Sequence, residues 1–303
     1  MLSLQQREHR QAWVLLAPML LVMFLLTAWP LFRTIWLSFT DAALIGSGGE
    51  GPAWIGLENY IYALTDPDFQ AAIGRTLYFT VVSVLIEGVI GVLVALLLNQ
   101  RFYGRNILRV LVILPWALPT IVNAMMWRLN FNPDYGSINA LLTQLGLLDH
   151  YRSWLGTPES ALNAVMLADI WKNYPLVTLL VLAAMQSIPE DLYEAARLDG
   201  APAWRRFRAI TLPAIAGPLS VALVLRTIDA FKIFDIIYVM TRGGPVDSTK
   251  TLSFFVYQES FSYLRAGSGA AYAILMTLMC SVLIALYMLM LLRQRRRSKA
   301  SET

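Results

Sequence analysis

Ser187-Ile-Pro-Glu-Asp-Leu-Tyr-Glu-Ala-Ala-Arg-Leu-Asp-Gly200-Ala-Pro-Ala-Trp-Arg-Arg-Phe-Arg-Ala-Ile210-Thr-Leu-Pro213 is a charged connection between two long apolar runs. Its local chemistry predicts two short helices. Pro189 suits a first turn, where its missing N–H costs nothing, and Glu190 and Asp191 complement the positive helix end. Gly200 permits a left-handed residue just past the last turn. Pro202 opens the second helix and Pro213 ends it, giving a helix-turn-helix in which Ala195 and Ala196 leave little side-chain bulk on one stretch. Such a surface admits close approach by another protein.

Outward from this connection the chain alternates apolar runs with short polar segments. Six runs reach the roughly 20 residues needed to cross a hydrocarbon core: Trp13 to Phe39, Ala72 to Leu98, Ile107 to Leu129, Ala161 to Met185, Ala216 to Met240 and Gly269 to Leu292. The first contains Pro30 and is too long for the apolar core of a signal peptide, so it reads as a retained helix with a kink. With 57% hydrophobic and 15% charged residues in 303, the chain has too little polar surface for a soluble globule. Its net charge of +4 comes from clusters beside apolar runs, where basic residues orient a membrane protein rather than bind nucleic acid.

The distribution of Lys and Arg sets the orientation. Arg7 and Arg10 precede the first run, whereas Thr40 to Gln70 has no Lys or Arg and carries Asp41, Glu50, Glu58, Asp66 and Asp68. Arg101, Arg105 and Arg109 follow the second run, Arg197, Arg205, Arg206 and Arg208 the fourth, and Arg293, Arg295, Arg296, Arg297 and Lys299 the sixth. Every second connection is basic, which closes with six spans and both termini on the cytoplasmic side. Cys280 has no intrachain partner and His9 and His150 are far apart, so no disulfide or metal-ligand spacing is present.

Glu194-Ala195-Ala196, with Leu198, Asp199 and Gly200 following and then Ile210, Leu212 and Pro213, resembles the EAA motif of binding-protein-dependent ABC importer permeases. Leu114-Pro115 with Pro119, Trp127, and Gly136 with Asn139 resemble that family's third span and the loop after it. Phe234-Asp235 through Thr241-Arg-Gly-Gly-Pro245, and Thr249 to Leu252, resemble its sugar-importer (maltose/glycerol-phosphate-type) branch, so the similarity runs over about residues 72 to 292. The resemblance implies an all-α, type I ABC importer-like fold with a cytoplasmic coupling loop at 187–215. It implies a first helix peripheral to a five-helix core. Residues 1–71 then form the N-terminal segment, first helix and outer loop, 72–292 the permease domain, and 293–303 a basic tail. It also implies partners: a second homologous permease, two ATPase subunits that bind ATP and Mg, and an external solute-binding protein.

Ionisable groups at membrane depth face a partner or a wet cavity. Arg226, Asp229, Lys232 and Asp235 recur every third residue in the fifth run with alternating sign, as mutual neutralisation beside neighbouring helices or direct solute contact would require. Asp169, Trp171, Lys172 and Asn173 lie within one turn of the fourth run, near Pro175. An aromatic face and hydroxyl-binding groups suit a carbohydrate path, and an Asp169–Lys172 pair holding helices together suits the same residues. Asn123, Arg128 and Glu87 are weaker candidates for the path. No Gly-x-x-x-x-Gly-Lys-Ser/Thr loop and no nucleophile elbow or His-Glu-x-x-His motif occurs, so the energy source is expected in another subunit and this chain is expected to hold no cofactor. An ion-coupled carrier using Asp229 and Asp235, or a membrane scaffold, would not require the EAA spacing. The expected function is a carbohydrate importer's permease, for a sugar, oligosaccharide, polyol or anionic sugar derivative.

Overall fold

The computed structural model describes residues 4–45 and 51–300, with side chains described over 12–45 and 51–289. Glu50 and the side chains of Arg7, Arg10, Arg293, Arg295, Arg296, Arg297 and Lys299 lie outside the described residues. Nearly everything described is helix, and a Thr40–Trp54 bridge is its lone β pairing. Five helices are long and apolar enough to cross a membrane, and six when a helix pair bent by 97° counts as one span. The all-α, six-span fold expected from the sequence is therefore the fold observed.

The first span, Ala12–Leu37, comprises α1 (Leu4–Met23), a π turn (Phe24–Ala28) and α2 (Trp29–Leu37), and none of its side chains is buried. The outer loop carries α3 (Glu58–Thr65), and α4 (Pro67–Asn99) is the second span. The third is the bent pair α5 (Arg105–Ala117) and α6 (Thr120–Asn130). A short α7 (Ser137–Gln144) precedes α8 (Pro158–Gln186), the fourth span. Then come α9 (Glu190–Leu198), α10 (Ala203–Arg206), a π turn (Phe207–Thr211) and α11 (Leu212–Phe231), followed by α12 (Asp235–Met240), α13 (Leu252–Tyr257) and the final span in α14 (Ala266–Ala300).

Three features differ from the sequence reading, and proline chemistry accounts for two of them. The third run is not one straight helix. Leu118 is extended (φ −72°, ψ 138°) because the following Pro119 ring disfavours a helical conformation before it, and the chain turns there. Pro213 does not end a helix either. The π turn places Leu212 N–H on the Phe207 carbonyl, one residue further back than in an α-helix, and the helix continues through Pro213. Pro30 has the same arrangement, with Trp29 N–H on the Phe24 carbonyl. In both places the widened turn accommodates a residue that has no N–H and whose ring would crowd the preceding turn. Finally, the fifth span stops at Phe231. Lys232 caps it, and the Ile233 carbonyl accepts from Thr251 Oγ1 at 3.0 Å, which diverts the backbone before Asp235 opens α12.

The chain divides into two compact units, one of residues 1–69 with 255–278 and the other of 70–254 with 279–303. In the first, Asn59 Nδ2 donates to the Ser38 and Thr40 carbonyls and Phe39 stacks on Trp54, which closes the outer loop on the end of α2. Phe69 and Tyr272 meet at 4.6 Å between ring centres. Glu259 accepts from Ser268 Oγ, and burial pushes its carboxyl above the usual carboxylate range.

The second unit holds two apolar cores. One gathers Phe79, Leu162, Val165, Ile236, Ile237 and their neighbours, and the other gathers Ala95, Leu98, Val177, Val181, Ile215 and Ala222. Asn139, quoted above for its family position, is fully buried. It donates to the Asn132 and Arg152 carbonyls and accepts from Trp154 Nε1 at 2.8 Å, so it ties the loop after the bent span to the start of α8. The α4–α8 crossing requires a missing side chain: a Cβ at Gly91 would sit 2.7 Å from Val177 Cβ. Close backbone approach at small residues is how helices associate in lipid. Gly91→Ala should therefore destabilise the detergent-solubilised protein by about 1–3 kcal/mol through overpacking. Gly74→Ala, which enters open space on the same helix, should not; equal melting temperatures for the two variants would contradict the crossing.

Candidate coupling surface and solute path

The 187–213 connection folds as the predicted helix-turn-helix over its first half. Pro189 immediately precedes α9, Glu190 and Asp191 occupy its first turn, and Arg197 lies in its last. Gly200 has φ +71°. Its N–H reaches the Arg197 carbonyl at 3.0 Å and the Ala201 N–H reaches Ala196 at 2.9 Å, the paired bonds of a Schellman C-cap. Two further bonds stiffen the turn: Tyr193 Oη and Thr211 Oγ1 lie 2.8 Å apart, and Arg206 Nη1 donates to the Ala201 carbonyl at 2.9 Å. The loop is thus braced across its own open end.

What this frame presents is exposed. Glu194, Ala195, Asp199 and Gly200 are exposed and Ala196 is half-buried. Leu198 is 90% exposed, although it is an apolar side chain on an amphipathic helix. Leu212 and Pro213 are exposed at the start of α11, and Ile210 is half-buried in the π turn. Small side chains thus stand next to a projecting leucine on an open surface.

The intramembrane candidates assemble around Arg226. Its Nε donates to Glu87 Oε2 at 2.6 Å and its Nη2 to Glu87 Oε1 at 3.0 Å, a bidentate pair between α11 and α4. Nη2 also donates to Asp169 Oδ2 on α8 at 3.0 Å. Asn173, one turn along, donates to Asp169 Oδ1 at 2.7 Å. Both oxygens of Asp169 are therefore engaged by Arg226 and Asn173. Asp229 approaches Arg226 at 3.8 Å with a 60% exposed side chain, whereas those of Glu87, Asp169 and Arg226 are nearly inaccessible. Lys172 is half-buried on α8 and interacts electrostatically with Asp169 and Asp229.

Lys232 and Asp235 do not extend the row, because the helix ends between Asp229 and Asp235. Asp235 is exposed in the first turn of α12, and Arg128 Nη1 donates to the Val239 carbonyl near the end of that helix. Glu87, a weaker candidate in the sequence, is the principal partner of Arg226. It was legible as a carboxylate in the apolar middle of a 33-residue helix, which demands a cation, but not which cation.

A second group surrounds Trp171, whose ring meets Trp127 of α6 edge-on at 5.8 Å. Asn123 Nδ2 donates to the Ala168 carbonyl at 3.3 Å, while Asn123 Oδ1 and Trp127 Nε1 are buried without a hydrogen-bond partner. Trp171, Tyr174, Leu111 and Pro115 line a cavity of about 230 Å³ at the α5–α6 bend. Two indole rings and two unpaired polar atoms thus gather beside the Asp169 segment of α8.

Removing Arg226 would leave two carboxylates in an apolar interior. Arg226→Met should cost about 3–5 kcal/mol, the loss typical when one member of a buried pair is deleted. Asp229→Asn, at an exposed partner, should melt within about 1 kcal/mol of the parent. Thermal unfolding in detergent checks both, and equal losses would contradict the partner assignment.

The family model for a binding-protein-dependent transport system inner membrane component matches residues 87–298. The trehalose/maltose transport system permease protein MalF of Thermococcus litoralis is 43% identical over 277 residues, covering 90% of each chain. The sulfoquinovosyl glycerol transport system permease protein SmoG of Agrobacterium fabrum is 36% identical, covering 91% of this chain and 89% of that one. The trehalose transport system permease protein SugA of Mycobacterium tuberculosis is 36% identical, covering 88% and 84%. In fold, a chain of a bacterial ABC transporter involved in alginate import superposes with a TM-score of 0.81 at 24% identity, covering 95% of this chain and 98% of that one. The exposed, capped EAA loop, the apolar spans and these matches lead to one assignment: the chain belongs to the family of binding-protein-dependent transport system inner membrane components, multi-span transport proteins of the inner membrane.

Proposed function

We propose that the chain is the permease subunit of an ATP-driven carbohydrate importer, with 72–292 as its transport domain and α9 as its coupling helix. The observation that carries this reading is the α9 surface: Glu194, Ala195, Ala196 and a 90% exposed Leu198 on a frame fixed by the Gly200 cap and the Tyr193–Thr211 contact. A rigid element transmits displacement, whereas a floppy loop would dissipate it. The chain itself contributes no ATP site. Two ATPase subunits binding ATP and Mg dock on the EAA loops of this permease and of a second, homologous one, both termini facing the cytoplasm.

The mechanism is alternating access. Closure of the ATPases moves α9, the movement passes through the π turn into α11, and the cavity between the two permeases opens toward an external binding protein. Arg226, held by Glu87 and Asp169, makes α4, α8 and α11 move as one body. Lys172, Asp229 and the Trp127–Trp171 pair are offered to the cargo. The named cargoes of the relatives are sugars and sugar derivatives, which suits aromatic faces for rings and unpaired amide and indole groups for hydroxyls.

ATP hydrolysis by the liposome-embedded assembly with its binding protein tests this, across neutral and anionic sugars. One cargo should stimulate hydrolysis. Glu194→Arg and Gly200→Pro should each remove that stimulation by about tenfold or more, the size of a lost hot spot, with membrane insertion unchanged. Proline cannot adopt the φ of +71° found at Gly200. Lys172→Ala or Asn173→Ala should alter the stimulated rate and leave basal hydrolysis unchanged. Undiminished stimulation in both loop variants, or uptake that follows an ion gradient without any ATPase, would overturn the assignment.

A further inference from the structure

Behind α9 lies a cavity of about 950 Å³ whose lining includes Arg101, Arg105, Arg109, Arg197 and Arg206, with Glu190 and Glu194 as its carboxylates. Five guanidinium groups thus face two acids. Arg101 is paired with Glu190 at 2.6 Å, and Arg206 donates to the Ala201 carbonyl. Arg105, Arg109 and Arg197 have no carboxylate within ion-pair distance among the described residues. Arg109 Nη2 donates to the Leu98 carbonyl at 3.2 Å, and its Nε is buried without any partner. A buried, unpaired guanidinium N–H is costly, and in a group of arginines it calls for an anion.

An apolar groove of about 800 Å³ adjoins this cavity, and Leu96, Gln100, Ala203 and Phe207 line both. The groove runs along α4 and α11 between Val84, Val89, Leu93, Leu219 and Leu223. Trp204, 68% exposed, lines the groove beside the shared Ala203, an aromatic side chain of the kind that settles at the headgroup level of a bilayer. A soluble anion would use the cavity and leave the groove without purpose. One molecule has both chemistries.

We infer that the cavity and groove together form a site for an anionic phospholipid, its phosphate among Arg105, Arg109 and Arg197 and an acyl chain along α4 and α11. The headgroup then braces α9 against the α4–α5 connection, so the importer's coupling depends on the acidic lipid beside it. The link to coupling rests on the function proposed above; the binding site does not.

The test uses the full-length chain with the subunits that co-purify, reconstituted in nanodiscs of phosphatidylcholine with phosphatidylglycerol and released for native mass spectrometry without ATP. Phosphatidylglycerol should be retained in preference to phosphatidylcholine. Arg105→Gln/Arg109→Gln should reduce that preference by about 25-fold, about fivefold for each cation lost near a membrane surface. Val89→Trp, which fills the groove, should also reduce retention. Unchanged retention in the arginine variant or in the groove variant overturns the proposal. So does displacement of the lipid by millimolar inorganic phosphate, which would make this a free-anion site, and so does loss of the lipid whenever an ATPase subunit is bound, which would make the cavity a protein contact. Should a variant fail to fold, photo-activatable phosphatidylglycerol on the unaltered chain decides: crosslinks should fall within 84–109, within 185–223 or at Tyr287, and crosslinks elsewhere overturn it. Because binding is read without ATP, a failure of lipid retention leaves the coupling assignment standing, and a failure of the Glu194 and Gly200 variants leaves this one standing.

Discussion

Glu87, Asp169 and Arg226 come from three helices and meet where neither water nor lipid can replace them. A guanidinium and two carboxylates in an apolar interior are tolerable only as a set, since any one left alone carries the full cost of desolvation. Along α4 and α8 the layer lies between the two apolar cores, with Phe79 and Val165 on one side and Ala95 and Val177 on the other. Apolar packing in a membrane allows helices to slide and rotate, because a neighbouring chain and a lipid tail are about equally apolar. A bidentate pair at 2.6 and 3.0 Å does not. The charge layer therefore fixes the register of the three helices that follow and precede the EAA loop.

The loop joins directly onto one of these helices. Thr211 receives Tyr193 at the foot of the loop, and α11 starts at the next residue and reaches Arg226 within the same helix. A π turn rather than a break joins the two, so Pro213 does not interrupt the helix that carries Arg226. The bend at Leu118–Pro119 has the opposite character. It interrupts a span, leaves Asn123 and Trp127 with unpaired polar atoms, and places Trp127 against Trp171. The helix is thus continuous from the loop to Arg226, whereas the bent span brings a buried amide oxygen and a buried indole N–H without partners to the Trp127–Trp171 contact.

Much of this was legible in order along the chain. Span existence followed from apolar length, α9 and its Gly200 cap from turn chemistry, and family membership was signalled by Glu194, Ala195 and Ala196 at their spacing with Ile210, Leu212 and Pro213. The readings that changed were those in which one residue's local preference was carried too far. Pro213 was read as a terminator because proline lacks an N–H, but a widened turn supplies the same relief without ending the helix. The charges from Arg226 to Asp235 were read as opposite neighbours three residues apart in one span, but the helix ends at Phe231 and Thr251 bonds the Ile233 carbonyl before Asp235 opens the next helix.

By itself the sequence determined the solvent of this protein, its number of apolar runs and the chemistry of its exposed loop, because these depend on composition and on neighbours a few residues apart. Only the tertiary structure decided which charges neutralise one another. Glu87 and Arg226 are 139 residues apart, and Asp169 and Arg226 are 57 apart, so no local period connects them. It also decided which arginines remain unpaired behind α9, since Arg101 and Glu190 find each other across 89 residues while Arg109 keeps a buried N–H with no acceptor. The physical reason is that a charge placed in hydrocarbon states only that a partner is required; packing of the helices selects the partner.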